Sequence, residues 1–297
     1  MILKVVISIA AVLLVACSNS VSDGSQSDER DSLSSDVAAE SSADAEQSSS
    51  SSATCEEIRS TKNDFVPIEN VLPCVQENEK VAFIIRHGER NAGESGYDDT
   101  LNANGAEQAR ELGRRLKDYS DFYFMHTDYL RTLETGYRIA EGKGQKVEEF
   151  TRENCDSIVH EWNDDLRYDW YLKDGSYMSM CASGNNMAAY TKMAYEVDDY
   201  YCDLAFYNAK ERTMEFVRNH FTYGKMHDIT FAVTHDLFVA PLMISITDGE
   251  IGMDYYKYGD EYYWPNFLAG AAVIVDDQDN VTMVPVRGLS SGRMAER

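Results

Sequence analysis

The chain has 297 residues, with 51 acidic and 27 basic side chains and a net charge of −24. That balance excludes nucleic acid and anionic lipid headgroups as electrostatic partners. It is compatible with a phosphate-bearing ligand only where positive charge is gathered locally.

At the amino terminus Lys4 precedes an apolar run from Val5 to Val15. The run falls short of the roughly 20 residues a spanning helix needs, so it reads as a signal peptide. It ends in Leu14-Val15-Ala16-Cys17, which resembles a bacterial lipobox. The resemblance implies cleavage before Cys17, a diacylglycerol on its thiol, and a lipid bilayer as partner; Ser18 next to it implies an outer membrane. Residues 18–60 follow as a Ser-rich, acidic linker, whose low apolar content cannot offset the entropy of ordering. As flexible coil, the part before Cys55 spans on the order of 35 Å. The expected folded domain is 61–297, with a cap over about 155–222.

Of six cysteines, Cys17 goes to the lipid, leaving Cys55, Cys74, Cys155, Cys181 and Cys202. In a compartment that permits disulfides this predicts two bridges and one free thiol, with Cys55–Cys74 as a local staple. No pair has metal-ligand spacing, and neither a metal nor a cofactor is expected.

The first strong element is Val81-Ala82-Phe83-Ile84-Ile85, a continuous apolar run that predicts a buried strand. It opens into Arg86-His87-Gly88-Glu89-Arg90. Phe122-Tyr123-Phe124-Met125-His126 predicts a second strand, leading through Thr127-Asp128-Tyr129-Leu130 to Arg131. Ile229-Thr230-Phe231-Ala232-Val233 predicts a third, ending in Thr234-His235-Asp236. If these strands are parallel neighbours, Arg86, His87, Arg90, Arg131 and His235 converge at their carboxyl ends, where open α/β sheets build ligand sites. Guanidinium groups bind phosphate oxygens in bidentate fashion, so a phosphoryl group fits best. Between the second and third strands, Met187–Phe216 predicts one or two helices, and Trp162, Tyr168 and Trp170 are candidates for either the pocket entrance or the core. Asn104-Gly105-Ala106-Glu107 has capping-box offsets. The runs 271–275 and 281–286 predict a closing hairpin.

Arg86-His87-Gly88-Glu89-Arg90 resembles the RHGxR signature of the histidine phosphatase superfamily. Thr100 to Gln108 with Leu112-Gly113, the segment Thr127 to Leu133, and His235-Asp236 resemble three further motifs of that superfamily, in the expected order over residues 80–240. The resemblance implies a three-layer α/β sandwich with a mostly parallel mixed central sheet and a helical cap insertion. It also implies hydrolysis of a phosphomonoester through a phosphohistidine on His87, with Arg86, Arg90, Arg131 and His235 binding the phosphoryl group and Asp236 as general acid. The His-Asp pair is similar to the histidine acid phosphatase branch, whereas Asn91-Ala92 replaces that branch's usual proline. In the branch that includes the phosphoglycerate mutases, a glutamate is the acid, which makes Glu161 the reserve candidate.

Two alternatives remain open at this level: a mutase-like phosphoryl transferase and a non-catalytic surface-binding lipoprotein. For Asp236 the competing role is an ordinary helix cap. His126, His160, His220 and His227 stand outside any motif and read as structural. The identity of the small phosphorylated substrate and the oligomeric state are not legible.

Overall fold

The computed structural model describes residues 53–93, 95–145, 160–253 and 262–296. Cys17 and Cys155 lie outside the described residues. The strands, in chain order, are β1 (Val66–Pro67), β2 (Glu79–Arg86), β3 (Tyr123–His126), β4 (His160–Trp162), β5 (Ile229–Thr234), β6 (Tyr262–Pro265), β7 (Ala269–Asp276), β8 (Val281–Arg287) and β9 (Arg293–Glu296). Seven of them form one sheet in the order β1-β8-β7-β2-β5-β3-β4, and β6 pairs with β9 in a separate ribbon. β2, β5, β3 and β4 are parallel neighbours, whereas β7 runs antiparallel to both β2 and β8. The third predicted strand therefore inserts between the first two, and the expected hairpin closes the sheet at β7 and β8.

A strand covered on both faces needs apolar side chains at every position, which is what Val81 to Ile85 supply. Val81, Phe83 and Ile85 enter one core with Phe124, Phe231 and Val233; Ala82 and Ile84 enter the other with Met125 and Ala232. The first core is covered by α1 (Cys55–Ser60), α2 (Ile68–Val71), α3 (Ala103–Arg115) and α4 (Leu130–Lys143). The second is covered by α5 (Met178–Cys181), α6 (Asn186–Ala194), α7 (Tyr200–Ala205), α8 (Ala209–His220) and α9 (Asp236–Ile246). The result is the three-layer sandwich with a mixed, mostly parallel sheet.

Four expectations about local structure need correction. The linker does not extend to residue 60, because α1 is ordered by a Thr54–Glu57 capping box, the Cys55–Cys74 bridge and a bidentate Arg59–Glu79 pair at 2.7 Å. Within the expected cap of about 155–222, residues 155–159 lie outside the described residues and β4 belongs to the main sheet; the layer inserted between β4 and α8, Asn163 to Asn208, is stapled by Cys181–Cys202. Three helices, not one or two, occupy residues 186–220, because Asp199 and Asn208 each cap a new helix start. The cap of α3 is Asn102, whose side chain accepts from Gly105 N, while Glu107 pairs on the surface with Arg110 and Arg114.

The helices flanking the future site touch backbone to backbone. A Cβ on Gly113 of α3 would overlap the Ile139 carbonyl of α4, and one on Gly142 would overlap the Arg110 carbonyl. Small residues at this crossing set how closely α4 approaches α3, and so where α4 begins. Gly113→Ala is expected to lower stability by roughly 1–3 kcal/mol, the usual cost of overpacking. Urea unfolding measures this, and an unchanged midpoint would show slack at the crossing.

Candidate active site

β2 and β5 are in register with Arg86 opposite Thr234, and β3 continues the row with His126 opposite Val233. The next residues along, His87, His235 and the segment from Thr127 to Arg131, therefore leave the sheet side by side. His87 N donates to Thr234 O at 2.9 Å, and Gly88 N donates to Thr135 Oγ1 at 2.9 Å, which binds the first loop to β5 and α4. From the other side Asn102 N donates to Glu89 O at 3.0 Å, so the cap of α3 also holds the loop.

His87 is 3 % exposed. Its Nδ1 lies 2.7 Å from Gly88 O, and its Nε2 lies 3.2 Å from Arg131 Nε. A carbonyl only accepts and a guanidinium only donates. The ring is therefore protonated on Nδ1, and its Nε2 carries a lone pair that accepts from Arg131. Burial, with His235, Arg86 and Arg131 nearby, pushes the His87 pKa well below the ordinary histidine value. Burial and the surrounding guanidiniums likewise lower His235, to about 3. Both rings are neutral in the fold.

Arg86 donates to Pro265 O at 2.6 Å, pairs with Asp236 Oδ2 at 3.1 Å, and lies over the Phe267 ring at 4.2 Å. Phe267 is held there by Leu268, which adopts φ +57 and donates its N–H to Arg86 O at 3.1 Å. A branched residue in that conformation costs on the order of 1–3 kcal/mol, strain of the kind stored at functional sites. Arg131 donates to Gly96 O at 2.8 Å as well as to His87, and its guanidinium covers the Tyr129 ring at 4.3 Å. Burial, with the Arg90 charge nearby, lowers the Arg131 pKa, and among the described residues the shielded Nε of Arg90 has no acceptor. Three guanidinium charges against one carboxylate leave two positive charges, matched to a dianionic phosphoryl group.

Asp236 opens α9 one position inside its cap residue, His235. Its Oδ2 accepts from Trp264 Nε1 at 3.1 Å and its Oδ1 from Leu237 N at 2.9 Å. Burial alone would raise its pKa, but the Arg86 charge and the Trp264 N–H outweigh it and hold the carboxyl well below its usual value. The resting group is a carboxylate, not a standing proton donor. Glu161 is not part of this cluster. It sits exposed on β4 level with Met125, accepts from Tyr123 Oη at 3.4 Å, and lines a cleft of about 410 Å³ with Tyr123 and His227.

Of the aromatic candidates only Tyr168 reaches the site, its ring 6.5 Å from His235; Trp162 is exposed, and Trp170 is buried against Phe216. Reasoning from sequence missed Thr135, Trp264, Pro265 and Phe267. Trp264 lies 28 residues beyond Asp236 in a separate ribbon, and no spacing signals its approach. His126, His220 and His227 are structural: the first bonds Thr127 O, the second Asp165, and the third stacks on Tyr123. Among the described residues, no group of three or more His, Cys, Asp or Glu side chains is placed to hold a metal ion.

Residues 82–153, which carry the first loop and Arg131, match the family model of the histidine phosphatase superfamily, branch 1. The match supports this superfamily. No curated protein matches the sequence. Similar solved structures include a phosphoglycerate mutase from Bacillus anthracis str. Sterne, 16 % identical, with 71 % of this chain and 93 % of that one covered at a TM-score of 0.46. A mycobacterial glucosyl-3-phosphoglycerate phosphatase is 15 % identical, covering 72 % and 99 % at 0.41. A phosphoserine phosphatase mutant from Entamoeba histolytica, in complex with phosphoserine, is 15 % identical, covering 69 % and 94 % at 0.37. The superfamily match supports a phosphoryl-transfer function.

The neutral histidines leave a signature in stability. Once unfolded they take up protons near pH 6.5, which the folded chain refuses down to about 3 at His235. Stability is therefore lost as the pH falls below 6.5, by up to roughly 1.4 kcal/mol per pH unit for each ring. The melting temperature is expected to fall between pH 6.5 and 4.5, and less steeply in His235→Asn. Equal slopes in the two proteins would show that the ring protonates freely in the fold.

Proposed function

We propose that the chain hydrolyses phosphomonoesters in two steps through a phosphohistidine on His87. The observation that carries the reading is the His87 ring itself, neutral, protonated on Nδ1, with its Nε2 lone pair inside a cluster of guanidiniums. In the first step that lone pair forms the N–P bond while the ester P–O bond breaks toward the leaving oxygen. Arg86, Arg90 and Arg131 balance the charge on the equatorial oxygens. In the second step water attacks phosphorus, the N–P bond breaks, and the lone pair returns to His87.

Asp236 supplies the proton in this reading. Its carboxylate is held by Arg86, which is also a phosphoryl ligand. A bound dianion draws on that guanidinium and adds negative charge beside the carboxylate, so the carboxyl rises and picks up a proton in the complex. The water of the second step returns a proton to it. The His235-Asp236 pair is what supports a likeness to the acid phosphatases in this reading. The branch 1 match favours a second reading, in which the phosphoryl group passes to an acceptor other than water.

The variants His87→Ala and Asp236→Asn, assayed with an alkyl and an aryl phosphate, test this. His87→Ala should reduce turnover of both to a few per cent or less. Asp236→Asn should slow the alkyl ester by roughly 10²–10⁴-fold and the nitrophenyl ester far less, since a weakly basic leaving group needs little protonation. Equal losses would remove Asp236 as acid. Product without inorganic phosphate would favour the transferase.

The proposed setting is extracytoplasmic, with the domain tethered through a lipidated Cys17. The lipobox resemblance supports this, and the bridges Cys55–Cys74 and Cys181–Cys202 suit an oxidising compartment. Labelled palmitate should enter the wild-type protein and not Cys17→Ser in an expressing bacterium. Wild-type protein without label would reject the anchor.

A further inference from the structure

Thr127 and Thr132 are buried, and Thr127 Oγ1 lies 3.0 Å from His235 Nε2. Their hydroxyls keep the shortest bond of the group, Thr132 Oγ1 to Tyr129 O, in one set of proton positions. Thr132 Oγ1 lies 2.7 Å from Tyr129 O and 3.3 Å from Thr127 O, both carbonyls, so its single proton is spent on one of them. It is therefore an acceptor toward Thr127 Oγ1, 3.0 Å away. Thr127 Oγ1 gives its proton to Thr132 and must accept from its remaining neighbours. One is Tyr129 N at 3.3 Å; the other is His235 Nε2 at 3.0 Å, which accordingly carries a proton. Were the Thr127 proton turned toward His235 instead, Thr132 would have to turn its own proton to Thr127 Oγ1 and give up its 2.7 Å bond to Tyr129 O.

The opposite side of the ring gives the same answer independently. Arg131 Nη2 stands 3.5 Å from His235 Nδ1, and a guanidinium nitrogen cannot accept. The Nδ1 there is a lone pair. Arg131 thus donates to a lone pair on each imidazole, Nε2 of His87 and Nδ1 of His235. Thr132 and Arg131 are neighbours on α4, so the chain of bonds from Thr132 through Thr127, His235 and Arg131 to His87 starts and re-enters at the same helical turn.

We propose that Thr127 and Thr132 are positioning residues whose hydroxyls lock His235 as the Nε2–H tautomer, and that this lock aligns Arg131 with the His87 lone pair. Without it His235 can carry its proton on Nδ1, where it meets the Arg131 donors and drives the guanidinium away from both rings. The charged and polar groups facing His235 are Arg131 from α4, Arg86 from β2, Arg167 and Tyr168 from the inserted layer, Tyr129, His87 and Asp236. None of these approaches Nε2; only Thr127 does among the bonds found there. The consequence for turnover rests on the phosphohistidine reading; the tautomer does not.

The test is a long-range ¹H–¹⁵N correlation spectrum of the full chain labelled at histidine, at pH 7 and without ligand. His235 is identified by the signals lost in His235→Gln. The wild type is expected to show His235 protonated on Nε2 alone. Thr127→Val should lose that single form, giving mixed or Nδ1-protonated His235, and Thr127→Ser should restore it. Under the phosphatase reading kcat falls about tenfold to a hundredfold in Thr127→Val, the usual worth of a group that orients an imidazole, with KM little changed and recovery in Thr127→Ser. A wild-type spectrum with Nδ1–H, or an unaltered Nε2–H form in Thr127→Val, overturns the proposal. A normal spectrum in a protein that hydrolyses no phosphate ester would reject the function and leave the tautomer lock standing.

Discussion

A guanidinium group can donate hydrogen bonds but never accept them, and the arrangement around Arg131 follows from that. Its Nε and Nη2 reach the two imidazoles and its Nη1 reaches Gly96 O, so both rings must turn unprotonated nitrogens toward one cation. Burial then works in the same direction. A protonated ring here would face Arg131 and Arg86 without water to screen it, and the neutral form wins by a wide margin. The lone pair on His87 Nε2 is a by-product of where the positive charge has been put.

That placement depends on strand order. β5 lies between β2 and β3, all parallel, so three carboxyl ends stand in one row. Each end delivers its residue through a different local device. The loop after β2 is clamped by Thr135 and by the cap of α3; the segment after β3 enters α4 at Leu130; and β5 passes directly into α9 through His235. The close crossing of α3 over α4 fixes the first two devices relative to one another. A shift at this crossing would move Arg131 against His87, although neither residue is near Gly113.

Asp236 illustrates how one group can be assigned differently by pattern and by environment. Its place beside His235 matches a motif in which it donates a proton, and its place at the start of α9 suits a carboxylate stabilised by the helix dipole. The ion pair with Arg86 and the bond from Trp264 favour the carboxylate in the resting protein. Under the phosphatase reading the same guanidinium also meets the phosphoryl ligand, so occupancy of the site and protonation of Asp236 would be coupled through Arg86.

The sequence by itself determined the layered fold and most of the cluster. Continuous apolar runs such as Val81–Ile85 can satisfy only a strand buried on both faces, and the polar residues that end each run can lie only at its mouth. Arg86, His87, Arg131, His235 and Asp236 were legible for that reason. Local capping was less so, because Asn102 and Asn104 compete for the same role and only the path of the Glu89 loop selects the first. Tertiary structure alone decided the rest. It brought Trp264, Pro265 and Phe267 from a separate ribbon against Arg86, and moved Glu161 to an outer strand. It set the protonation of each imidazole, which depends on what lies within 3 Å or so of each nitrogen. Hydrogen-bond partners drawn from distant segments leave no periodicity in a chain, so a sequence can name the reacting groups before it can say which of their atoms carries the proton.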